Sequence, residues 1–187
     1  MDRSKTKAYV ELAARIYVFI VLNLYGFGKM AGQQFYRKGK LPTEVAQQTL
    51  GEVGSFDLAW TFMGHSYFYI LFIGLSQIIG AWLLLWNRTK LVGIAILLPI
   101  LLNIIVIDML FFDDGKYGAM ASALLYFSLL IIILILNREK VLEIIRITTK
   151  NTRSMSKESV SRKLVFASLL VILFFGIDQL LVNILGH

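Results

Sequence analysis

Five blocks of about twenty consecutive, mostly apolar residues constrain this chain more than any other feature. They cover residues 9–28, 67–86, 91–112, 118–136 and 164–185. At 1.5 Å per residue, a helix of that length spans the hydrocarbon core of a bilayer. Lipid offers no hydrogen bonds to a bare backbone, so blocks this long are expected to be helices rather than barrel strands. The expected fold class is therefore all-α, a polytopic membrane helical bundle. The 57% hydrophobic content exceeds the soluble norm, and the mean hydropathy is +0.70. Glu11 and Arg15 interrupt the first block, and no small-x-small cleavage site follows it, so it is read as a retained helix.

Composition removes several chemistries. The chain has no cysteine, which excludes disulfides, iron–sulfur clusters and thiol catalysis. Two histidines, His65 and His187, argue against a histidine-ligated metal or a bis-histidine haem. No P-loop, HExxH or GxSxG motif is present. The stretch YGFGKMAGQQF at 25–35 is no phosphate loop, because no strand precedes it. A net charge of +7 could suggest nucleic acid, but its distribution points to membrane orientation instead.

Thirteen basic residues precede block one or lie in the connections 87–90 and 137–163, against five in the other two connections. The positive-inside rule then puts the N-terminus in the cytoplasm and the C-terminus outside, in an inner or plasma membrane. The connection 137–163 mixes Val141, Leu142, Ile144, Ile145 and Ile147 with basic residues, an interfacial amphipathic pattern grading into a charged linker. The outer loop 30–66 is expected to hold structure, with a short helix starting at Pro42-Thr43. The aromatic-rich FDLAWTFMGHSYFY at 56–69 reads as a membrane-interface belt.

Polar residues inside the spans are costly and so informative. At about 100° per residue, Glu11, Arg15, Leu22, Gly26, Lys29 and Gln33 share one face of the first helix, expected to face the bundle interior. Glu11 and Arg15 have the ion-pair spacing, with Arg15 free to reach back towards the cytoplasmic boundary. Lys29, Gln33, Gln34, Asp57, His65, Asp108, Asp113 and Asp178 all fall near the outer face. Lys29 is expected to pair with Asp108, with Asp178 as the competing partner. Asn23, Gln77 and Asn103 lie deeper and read as helix–helix hydrogen-bonding residues.

Arg15 followed by YGFGKMAGQQF resembles the opening signature of DoxX-like membrane proteins. The stretch GHSYFY…MLFFDD, with Asn103, Asp108 and Asp113, resembles that family's central helix pair. The resemblance covers roughly 9–136. It implies a four-helix core over 1–136, to which this chain adds the basic linker 137–163 and a fifth helix in 164–187. It is similar to the DoxD subunit associated with thiosulfate:quinone oxidoreductase, which implies an accessory role in a redox complex with quinone nearby. On that reading Lys29, Gln33, His65 and Asp108 would hold a carbonyl head group while Trp60 and Phe72 hold the ring or tail, with Asn103 a further ligand-binding residue. Membrane lipids and a redox or other membrane protein are the expected partners, with no nucleic acid. Catalysis by the isolated chain is not expected. Two other readings stand beside this one: a non-enzymatic assembly, defence or regulatory factor, and a small channel or transporter, the last needing an oligomer because no inverted repeat is visible.

Overall fold

The computed structural model describes residues 3–112, 117–150 and 160–185. These residues form eight helices: α1 (Arg3–Ala31), α2 (Thr43–Ala46), α3 (Ser55–Gly64), α4 (Tyr67–Leu85), α5 (Lys90–Phe111), α6 (Tyr117–Leu136), α7 (Arg138–Thr149) and α8 (Val160–Leu185). Five of them, α1, α4, α5, α6 and α8, are long and apolar enough to cross a membrane. The chain is a helical membrane bundle, and its five apolar helices fit an integral membrane protein. It divides into two units, Met1–Ile145 and Arg146–His187.

In the first unit α1 packs on α4 and α6, and α5 packs on the same two helices, which closes a four-helix ring. The shared core joins Val18 and Leu22 of α1, Ala81 and Leu84 of α4, Leu97 and Leu101 of α5, and Leu130 and Ile133 of α6. Lipid tails are as apolar as these side chains, so close packing rather than water exclusion holds such helices together. Gly26 and Gly74 show how close. A Cβ built on Gly26 would lie 2.9 Å from the Gly74 carbonyl oxygen, and one on Gly74 would lie 3.0 Å from that of Gly26. Both positions need hydrogen as the side chain for α1 and α4 to meet.

The connection between α1 and α4 is structured. Pro42 precedes the single turn of α2, and α3 leads through His65 to Ser66, whose side chain caps α4 by accepting from the Tyr69 N–H. Helix α3 rests against α4 and α5 at the end of the unit where α1 finishes. This is termed the α3 end below, and the opposite one the Lys90 end.

In α7, Leu142, Ile144, Ile145 and Ile147 are exposed beside Arg138, Lys140 and Arg146. The second unit holds the last turn of α7 and helix α8, and it is described by itself.

Candidate functional site

The two ends of the four-helix unit treat buried charge differently. At the Lys90 end, Arg15 is 4% exposed. Its Nε donates to the Leu84 carbonyl at 2.7 Å, one Nη to Asn87 Oδ1 at 2.7 Å, and the other Nη to the Leu85 carbonyl. Those carbonyls belong to the last turn of α4, where no intrahelical donor remains and the helix dipole is negative. Arg15 is thus a side-chain cap for a neighbouring helix. Glu11 lies 3.5 Å from it and also accepts from the ammonium of Lys90.

Arg15 pairs with Glu11 as the spacing predicts, and one sequence expectation changes. Lys90, counted only as a loop charge, is buried and completes the cluster. The cause is the tight connection 86–89. The N–H groups of Thr89 and Lys90 both donate to the Trp86 carbonyl, and Thr89 Oγ1 donates to the Leu83 carbonyl at 2.8 Å. Lys90 therefore falls in the first turn of α5, facing α1.

At the α3 end, α1 stops at Ala31. Gly32 adopts φ +83°, its N–H donates to the Lys29 carbonyl at 3.0 Å, and the Gln33 N–H donates to the Gly28 carbonyl at 3.0 Å. This is a Schellman motif, with glycine supplying the left-handed residue. Its consequence is positional. Lys29 stays in the last helical turn and is buried, at 3% exposure, while Gln33 is exposed outside the helix. Extrapolating the helical face of α1 to Gln33 fails at Gly32.

The Lys29 ammonium lies 5.5 Å from the Tyr25 ring centroid and 6.0 Å from that of Phe35. Asp108 of α5, 6% exposed, acts on it electrostatically, without a direct salt bridge between them. Space lies around the pair. A cleft of about 290 Å³ runs between α4 and α5, walled by Phe72, Ile73, Pro99, Ile100 and Asn103 and covered by Phe35, Trp60 and Met63. Lys29, Gln34 and Asp108 close it on one side. Its mouth is apolar and faces outward from the unit, since Phe72 is 68% exposed. A smaller chamber of about 70 Å³ shares Lys29, Gln34, Trp60 and Asp108, and reaches Gln77, Ser122 and Tyr126 among the four long helices. Gln77 is 1% exposed, and its Oε1 has no hydrogen-bond partner. An unpaired buried polar atom costs roughly 1–3 kcal/mol.

Trp60 stacks on Phe56 at 4.3 Å between ring centroids and also meets Phe35 and Phe112. Within the segment read as an interface belt, Phe56 and Trp60 join this aromatic cluster over the cleft, while Phe62, Tyr67 and Phe68 are exposed. Beside it, Asp57 accepts a 3.0 Å hydrogen bond from the Tyr36 hydroxyl. Burial, with that bond and the Asp57 charge, holds the Tyr36 phenol above its ordinary pKa.

Of the residues expected at the site, the structure brings Lys29, Trp60, Asn103 and Asp108 to one cleft. His65 is not there. It is exposed, capping α3, and lines a separate surface depression with Leu58, Phe62 and Tyr69. Gln33 lines a groove with Val21, Leu24 and Gly28. Asn23 bonds the Phe19 carbonyl of its own helix at 2.7 Å, not a second helix. Asp178 belongs to α8 in the second unit, and Asp113 lies outside the described residues. Gln34, Gln77, Ser122 and Tyr126 are among the polar lining residues that the ligand-binding expectation left out. Among the described residues no cluster of three His, Cys, Asp or Glu side chains could hold a metal.

The chain is similar to a Bacillus subtilis (strain 168) protein described as "Uncharacterized protein YwoB", with 30% identity over 155 residues, 83% of this chain and 94% of that protein. The chain belongs to the YwoB family. A match of that length exceeds the second unit alone, so most of the four-helix unit of this YwoB-family chain is within it. No family model and no solved structure matches the chain.

Proposed function

We propose that this YwoB-family chain is a DoxX-like membrane accessory protein that binds an amphipathic small molecule, with quinone as the first candidate. The observation that carries the reading is the cleft. It is an apolar slot with an outward-facing mouth between two membrane-length helices, ending on a buried ammonium and carboxylate that are not directly bonded. A few placed polar groups orient a mostly apolar ligand. Phe72, Ile73 and Ile100 suit a ring or tail, and Lys29 with Gln34 suits a carbonyl head group. The excess of basic residues before α1 and around 87–90 and 137–163 supports a cytoplasmic N-terminus and an outside C-terminus. The chain would serve a redox partner in the membrane by holding or delivering the ligand.

A titration tests this. Trp82 and Trp86 are replaced by Phe, leaving Trp60, and a short-chain benzoquinone is added to the protein in nanodiscs. Saturable quenching that weakens at least tenfold in Lys29→Met is expected. Unsaturable quenching, equal in both proteins, contradicts the reading.

A second reading, a non-enzymatic factor acting through partners, is favoured by α7. Its exposed isoleucines beside Arg138, Lys140 and Arg146 suit anionic lipid or an acidic protein surface.

A further inference from the structure

The small chamber beyond Lys29 and Asp108 says what kind of head group the cleft accepts, an inference that rests on the ligand-binding reading above. Three of its polar groups are nine-tenths or more buried: Lys29, Asp108 and Gln77. Gln77 stands deepest, with a carboxamide oxygen that lacks a partner. Opposite it on α6, the Ser122 hydroxyl is spent on the Gly118 carbonyl at 2.9 Å, and Tyr126 hydrogen-bonds with Ser122 and Tyr25. The α6 groups are thus largely satisfied among themselves, while the Gln77 amide is not.

Charge narrows the choice further. Lys29 and Asp108 are the charged side chains that line cleft and chamber among the described residues, and they oppose each other. The site carries no net positive charge with which to draw in a phosphate or carboxylate. Size narrows it again. About 70 Å³ exceeds the roughly 10–15 Å³ that one water occupies on the same measure, yet it is a quarter of the cleft beside it. It suits a polar group of a few atoms, not a bulky head group.

We propose that the ligand is an uncharged amphipath whose hydroxyl group enters this chamber, donating to Gln77 or Asp108 and accepting from Lys29, while its apolar body stays in the α4–α5 cleft. A hydroxyl donates once and accepts twice, so it serves the Gln77 amide oxygen or the Asp108 carboxylate while it accepts from the ammonium. A phenol or the hydroquinone form of the candidate above has this chemistry. The candidate's quinone form, which accepts from Lys29 without donating, binds more weakly; a fully alkylated ether lacks the donor. Sites built around a hydroxyl reject the analogue without it, because their own buried groups are then left unpaired.

Three probes with one tail decide the matter: 4-octylphenol, its methyl ether 4-octylanisole, and mono-octyl phosphate. Each is titrated calorimetrically into the full chain in nanodiscs, with empty nanodiscs as the baseline. Octylphenol is expected to bind at least tenfold more tightly than either of the others. The Gln77→Met variant, which keeps side-chain volume, is expected to narrow the phenol-to-ether ratio to under threefold while still binding the ether. Equal affinity for phenol and ether in the wild type overturns the hydroxyl assignment and leaves the ligand-binding reading standing. So does tightest binding of the phosphate. Saturation by none of the three overturns both. Should Gln77→Met not fold, the wild-type ratio alone decides.

Discussion

The Lys90 end and the α3 end of the four-helix unit bury the same kinds of group to opposite effect. At the first, Arg15 has two backbone carbonyls, Asn87 and Glu11 around it, and Glu11 also holds Lys90. None of the cavities described above reaches this cluster. At the second, Lys29 and Asp108 feel each other without direct contact, Gln77 has an unpaired oxygen, and two spaces that share lining residues open beside them. A buried charge whose valences are filled from within the protein stabilises the fold and has nothing left for a ligand. One whose partners stand back leaves binding capacity at some cost in stability. The contrast separates a structural cluster from a candidate site without reference to any relative.

Removing the guanidinium should produce the largest effect. Arg15→Met strips the cap from α4 and takes one of its two cationic partners from Glu11, a loss of roughly 3–5 kcal/mol in equilibrium unfolding in mixed detergent. A loss below about 1 kcal/mol would mean that the Lys90 end is no more closed than the other. Next comes Gly26→Val. Its new methyl groups meet the Gly74 carbonyl and Ile78, forcing α1 from α4 at a cost of roughly 1–3 kcal/mol. Because Lys29 sits three residues on, ligand affinity should fall with stability in this variant.

Tyr36→Phe should cost less, about 1 kcal/mol for one partly exposed hydrogen bond. It also carries a pH signature. The folded-state phenol titrates above its ordinary value, so above about pH 10 the unfolded chain loses that proton first and stability falls as pH rises. Below that pH the contribution is fully present. The alkaline fall should be shallower in Tyr36→Phe, and identical slopes would remove Tyr36 from the cause.

What the sequence disclosed, and what it hid, follows the same division. The spans were legible because hydropathy is a local sum: the blocks at 67–86, 91–112 and 118–136 differ from α4, α5 and α6 by at most one residue at either end. The first helix runs longer, from Arg3 to Ala31, because charged residues continue a helix that hydropathy alone would end. The polar face of α1 was legible as far as helical geometry holds, and Arg15, Gly26 and Lys29 are buried. It misled at Gln33, beyond the left-handed Gly32. The Glu11 partner of Arg15 was legible from spacing, whereas its partners at Leu84 and Leu85 were hidden because backbone carbonyls have no sequence identity. Lys90 was hidden because a basic residue between two apolar blocks looks like any loop charge. His65 was placed at the site by its depth in the membrane alone, and depth does not say which way a capping residue turns.

The smallest expected effect on stability is at the candidate site. Replacing both charges together, Lys29→Met with Asp108→Leu, should change unfolding free energy by no more than about 1 kcal/mol in either direction, because a loosely paired buried couple contributes little. Ligand capture should nevertheless be lost. Mass spectrometry of the lipid extract that co-purifies with each protein measures this most directly. The wild type should carry one amphipathic species, enriched over bulk lipid towards one molecule per chain, and the folded double variant should lack it. Identical extracts from the two proteins would contradict a binding site at Lys29 and Asp108.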